Sequence, residues 1–173
     1  MGGSREAHFH PIVCGDGYAH TGYAGQFQVA DAGDHMNIER LEHEADRGSV
    51  VAQTVLGVCY LDAVGVAADY TRAFSLLTAA ATRGAARAMV NLGRMYQAGL
   101  ATPRDAQQAA TWYRRAAERG EFLGWVCLAR LQHAGGEQEE ALGSYRHALE
   151  GAHGVADCPE LTEAREFVSR HND

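Results

Sequence analysis

Lysine is missing from this 173-residue chain altogether, and all fifteen basic residues are arginine. Arginine and lysine differ physically, but no single function demands such a bias, so it reads as a trace of genome composition. Acidic residues outnumber basic ones, 22 to 15, for a formal charge of −7. With no basic stripe set among aromatics, that balance argues against a nucleic-acid partner. Aromatics are scarce, at 8%, and only three prolines interrupt the chain. The four cysteines, Cys14, Cys59, Cys127 and Cys158, form no CxxC and share no repeating register. A disulfide-stapled repeat protein would carry its bridges in step, so reduced thiols are expected.

No apolar run approaches the length of a membrane span. The opening MGGSREAHFH carries Arg5 and no apolar stretch, so it does not read as a signal peptide. Glu6 stands where a myristoylation motif wants Ser or Thr. A cytoplasmic protein is the expectation. Catalytic signatures are missing too: there is no GxSxG, P-loop, dinucleotide fingerprint or HExxH. His133 and Glu137 are separated by Gly135–Gly136, which reads as a turn, not as an acid–base site. The chain is expected to be no enzyme and to need no cofactor.

What the sequence does have is a period. Gly48, Gly84 and Gly120 stand 36 residues apart. Ala52, Ala88 and Gly124 share one frame, Leu56, Leu92 and Leu128 another, and Gly57, Gly93 and Ala129 the next. A fixed period of this length without strand-like alternation marks a solenoid of helix pairs. At 46% hydrophobic residues the chain has enough apolar material for a core.

Two parts are predicted: residues 1–34, an irregular N-terminal arm, and residues 35–173, an α-solenoid. The arm is rich in Gly and Tyr, lacks helical periodicity and has one candidate extended piece at Gln26 to Ala30. His8, His10 and Cys14 could approach a metal on an extended backbone, but their spacing matches no zinc framework. The arm could equally fold back over an exposed edge of the solenoid.

Asn37 to Arg47 reads as a helix capped by Asp34 or Asn37, the second helix of an incomplete unit. Helices are then expected over about 50–61, 70–83, 85–98 and 105–119. Asp69 and Asp105, again 36 apart, cap the second helix of each pair. Pro103 falls harmlessly in the loop. The third unit has lost four loop residues and turns at Gly135–Gly136. A last helix begins at Pro159, a favourable first position, and would close the array.

The segments AQTVLGVCYLDAVGVAAD from Ala52 and AMVNLGRMYQAGLATPRD from Ala88 resemble the Sel-1-like repeat, a relative of the tetratricopeptide repeat with a longer inter-helix loop. Each keeps one of that family's two loop glycines, Gly65 in the first and Gly99 in the second. The third unit, through Leu128, Ala129, Ala141, Tyr145 and Ala148, is more similar to an ordinary tetratricopeptide repeat without its closing proline. The resemblance implies an all-α, right-handed α-solenoid of antiparallel helix pairs, acting as an adaptor or scaffold that binds a protein or peptide in a concave groove. It also implies an alternative, an immunity-type protein that neutralises a secreted toxic effector.

If Leu56, Gly57 and Tyr60 point into the core, the groove would carry Val51, Thr54, Val58 and Leu61 from the first repeat. The matching positions are Arg87, Val90, Arg94 and Gln97, then Leu123, Val126, Arg130 and His133. Arg94 and Arg130 would stand as successive rungs suited to an acidic or carboxylate-bearing partner. The competing reading pairs each with a carboxylate on a neighbouring helix and assigns Val51, Val90 and Val126 to the core. Self-association through helix ends is also open.

Overall fold

The computed structural model describes residues 37–152, 154–155 and 157–171. The readings of residues 1–34, including His8, His10 and Cys14, lie outside the described residues. Within them the chain forms eight helices and no strand: α1 (Ile38–Asp46), α2 (Val50–Asp62), α3 (Tyr70–Thr82), α4 (Ala86–Ala98), α5 (Ala106–Ala117), α6 (Phe122–Ala134), α7 (Gln138–Gly151) and α8 (Pro159–Arg170). Each helix packs on the next. In addition α2 touches α4, α4 touches α6 and α6 touches α8, while among the described residues no comparable contact joins α3, α5 and α7. The array is therefore a two-layer solenoid with α2, α4, α6 and α8 as its tighter, inner layer.

The period is written into the backbone as well as the side chains. Asn37, Asp69 and Asp105 are the N-caps of α1, α3 and α5, and each accepts from a backbone N–H of its first turn. The loops of the first two repeats are closed by the same bonds. Val64 and Leu100 donate to the carbonyls of Cys59 and Met95, and Asp69 and Asp105 donate to those of Tyr60 and Tyr96. The Ala80–Ala81 and Ala116–Ala117 pairs are buried at the ends of α3 and α5. Their carbonyls accept the amides of the following turns at Gly84–Ala85 and Gly120–Glu121.

Close approach between the layers depends on missing side chains. A Cβ on Gly93 would lie 2.6 Å from the Tyr113 ring, and one on Gly124 would lie 2.6 Å from the backbone of α5 at Tyr113 and Ala117. Tyr113 itself is fully buried, as are Leu77 and Tyr145. These three occupy one frame once the four-residue deletion in the third loop is counted. The deletion leaves Gly136, at φ 86°, to complete the turn that the longer loops make elsewhere.

The loop glycines explain an oddity of both repeats. In the first loop Gly65 has φ 72° and Ala63 has φ 56°; in the second Gly99 has φ 73° and Ala101 has φ 58°. Both left-handed positions are thus kept in both loops, but in each one is filled by alanine. Left-handed backbone costs an L-residue about 1–2 kcal/mol, against about 0.4–1 kcal/mol by which a glycine loosens the unfolded chain.

Ala63→Gly and Ala101→Gly should each raise stability by about 0.5–1 kcal/mol, seen as a higher urea midpoint with unchanged slope. Gly124→Ala should lower it by about 1–3 kcal/mol, because backbone and not a flexible side chain blocks the added methyl. A neutral Gly124→Ala in the same denaturation assay would contradict the close helix contact.

Candidate functional site

The sequence pointed to the inner layer, and its front is formed by the residues of α2, α4 and α6 turned away from the outer helices. Seven of the twelve expected groove residues are buried: Thr54, Val58, Leu61, Val90, Arg94, Leu123 and Val126. Val51, Arg87, Gln97 and Arg130 are half-buried, and His133 is exposed. The buried apolar members, Val58, Leu61, Val90, Leu123 and Val126, therefore belong to the hydrophobic core. In α4 every residue from Ala88 to Met95 is buried, which takes Val90 and Arg94 into the interior.

The two arginines do not stand as unpaired rungs. Arg94 reaches back one repeat: its Nη2 donates to Asp62 Oδ1 at 3.1 Å and its Nη1 to Asn91 Oδ1 at 2.7 Å. Asn91 is fixed in turn by donating to the Arg87 carbonyl. Only 8% of Arg94 is exposed, and its buried Nε has no hydrogen-bond partner. Arg130 reaches forward instead. Its Nε lies 3.0 Å from both carboxylate oxygens of Glu163 on α8, and its Nη2 donates to Oε2. An open basic surface for a carboxylate is thereby lost, since each guanidinium already holds an internal carboxylate. Sequence register could place the arginines in line but could not show that Asp62 and Glu163, which share no frame, fold against them.

The Arg130–Glu163 pair belongs to a larger cluster that holds the last helix. The Tyr145 hydroxyl donates to Glu163 at 2.6 Å. The Phe167 ring is gripped by Tyr145, His133 and His171, with centroids 4.8, 5.1 and 4.3 Å away. His133 also places Nδ1 3.0 Å from Gln138 Oε1, so its ring is engaged on both sides. At the other end of the array, the Tyr60 hydroxyl donates to Glu42 of α1 at 2.7 Å and accepts from Arg72 at 2.7 Å. Each flanking helix is thus bound to the repeats by one tyrosine, one arginine and one carboxylate.

The buried thiol of Cys127 on α6 and the buried hydroxyl of Tyr113 on α5 are both held protonated. Burial pushes the Cys127 thiol up to about 12, which keeps it protonated and poorly nucleophilic. Burial likewise raises the Tyr113 hydroxyl, which donates to Gln97 at 2.7 Å. Cys59, Cys127 and Cys158 are all buried and none is in a disulfide. Among the described residues no group of three His, Cys, Asp or Glu side chains is placed to hold a metal ion. No described helix is long and apolar enough to cross a membrane.

Glu163 supplies a test of the α8 cluster. Burial alone would raise its carboxyl, but hydrogen bonds from Arg130 and Tyr145 and the Arg130 charge override this and hold it below its ordinary value of 4.5. A carboxyl depressed on folding stabilises the fold fully above its unfolded value, and the contribution disappears as pH falls through the folded one. The melting temperature of the unaltered chain should therefore drop more steeply between about pH 5 and pH 3 than that of Glu163→Gln. Parallel pH profiles in differential scanning calorimetry would remove Glu163 from that role.

Comparison with known proteins agrees with this geometry. Residues 50–84 and 86–121 match the Sel1 repeat. These stretches contain α2–α3 and α4–α5. No curated protein matches the chain. Among solved structures, a Sel1 repeat protein from Oxalobacter formigenes is similar at 26% identity with a TM-score of 0.63, over 77% of this chain and 53% of that one. A protective antigen present in uropathogenic Escherichia coli strains, with an SLR fold, is similar at 26% identity and a TM-score of 0.63, over 78% of this chain and 32% of that one. The chain thus spans about half the length of the first and about a third of the second. The caps and turns of α2–α3 and α4–α5 recur in the same register, and it is these two consecutive stretches of the all-helical array that match the Sel1 repeat.

Proposed function

We propose that this chain is a protein-interaction scaffold and that a polypeptide partner seats against the inner face of α4 and α6. Sel1 repeats in general bind other proteins, and the two repeats here form the centre of the array. The observation that carries the assignment to the inner face is the Asp62–Arg94–Asn91 cluster. At the same frame in the first repeat stands Val58, which is buried. A buried ion pair is seldom more stabilising than a well-packed apolar residue, because desolvation offsets the Coulomb attraction. Stability alone would therefore be served by a second valine. The cluster instead fixes α4 against α2, and so holds the half-buried Arg87 and Ala98, two turns before and one turn after Arg94 on the same helix, as a preorganised surface for a polypeptide partner.

Arg94 and Arg130 are poor probes of binding, since changing either breaks a hydrogen-bonded internal pair. Arg87, whose Nε lies a longer 4.0 Å from Glu121, and Ala98 are better ones. The full chain is used to capture its partner from the source cell, and the affinity is then measured by calorimetry. Arg87→Glu with Ala98→Glu should weaken binding at least tenfold, about 1.4 kcal/mol, with the helical circular dichroism unchanged. Equal affinity in the double variant would move the partner off the inner face.

A further inference from the structure

Charge is unevenly spread along the array. Residues 70–117, from the start of α3 to the end of α5, hold seven of the fifteen arginines but only one of the 22 acidic residues, Asp105. Acidic side chains gather on either side, at Glu39, Glu42, Glu44 and Asp46 near α1 and at Glu139 and Glu140 on α7. An acidic chain thus has a basic middle. The arginines of α1 and α8 are matched internally: Arg40, Arg165 and Arg170 each hold a carboxylate at 2.6–3.1 Å. Those on α5 and in the loops beside it are not. Arg104, Arg114, Arg115 and Arg119 are all exposed, and none pairs with a carboxylate among the described residues.

The helix itself explains where these side chains stand. Ala109, Tyr113, Ala116 and Ala117 give α5 its buried side, which leaves Gln107, Gln108, Arg114 and Arg115 on the opposite, exposed one. One carboxylate, Glu118, stands among the arginines. Trp112 orients one guanidinium: Arg115 Cζ lies 4.9 Å from the centroid of this half-buried ring. A guanidinium resting on an indole face keeps its N–H edge free for a carboxylate. We infer that the exposed side of α5 is a second interaction surface, which takes an acidic segment of a partner polypeptide. It lies on the outer layer and does not depend on the inner-face reading. The 12 residues of α5 span about 18 Å, the length of a short segment. A longer polyanion such as a nucleic acid would extend toward the exposed Glu139, Glu140 and Glu150 of α7 and be repelled there.

The test uses the full chain and a fluorescein-labelled peptide of alternating glutamate and serine, as long as α5, read by fluorescence anisotropy. The peptide should bind saturably, and more weakly as salt rises from about 0.05 M to about 0.3 M. Arg114→Ser with Arg115→Ser should weaken binding about tenfold, as the loss of charge-assisted hydrogen bonds predicts. Arg165→Ser with Arg170→Ser removes the same charge from α8 and should leave the affinity unchanged. If the first pair disturbs the helical circular dichroism, Arg104→Ser with Arg119→Ser replaces it, with the same expectation. No binding, or an equal loss in the α5 and α8 variants, overturns the inference. So does an oligonucleotide of equal charge that binds more tightly through Arg114 and Arg115, or a dimer of the chain that dissolves when they are changed.

Discussion

Everything in this array depends on two helices coming close enough for a side chain of one to rest on bare backbone of the other. Gly93 against Tyr113 and Gly124 against the end of α5 are the points of contact, and neither leaves space for a methyl group. Because Tyr113 is buried through that contact, its hydroxyl must find a partner inside, and Gln97 supplies it. Small residues at the facing positions, Ala73, Ala109 and Ala141, are all fully buried and let the remaining surfaces meet. The spacing of the layers is thus set by what has been removed from the helices. Bulk is then restored by one large side chain per unit.

The inner layer shows how an acidic protein accommodates buried arginine. Arg94 and Arg130 occupy the same frame but choose opposite directions, one toward the repeat before and the other toward the helix after. The buried Arg94–Asp62 pair is not evidence of a more stable fold, since bringing both charges out of water is costly. The half-exposed Arg130–Glu163 pair loses less hydration and holds the Glu163 carboxyl down. Their effect is on specificity of arrangement. Arg94 ties the first repeat to the second, and Arg130 ties the third unit to α8.

Most of the fold was legible in the sequence because it repeats. Asp69 and Asp105 marked helix starts, Pro159 marked the last helix, and the shortened spacing before Ala141 located the third loop. The site was less legible, for a physical reason. Periodicity tells which residues share a direction but not how crowded that direction is. Thr54, Val90 and Val126 were read by register as groove residues, yet all three are buried. Contacts made outside the period, such as Tyr60 with Glu42 or Arg130 with Glu163, have no register to betray them. Ala63 and Ala101 were likewise hidden, because alanine gives no hint that it stands in a glycine's conformation.

The two flanking clusters, Tyr60–Arg72–Glu42 and Tyr145–Arg130–Glu163, bear on how such arrays change length over evolutionary time. A solenoid held only by its repeating contacts can gain or lose a unit anywhere. Here α1 and α8 are each matched to a particular neighbour, so a unit duplicated between the two clusters leaves both intact. One inserted directly beside α1 or α8 on the side of the repeats separates a carboxylate from its tyrosine and arginine. Between the two clusters the array can therefore lengthen without breaking a contact made outside the period.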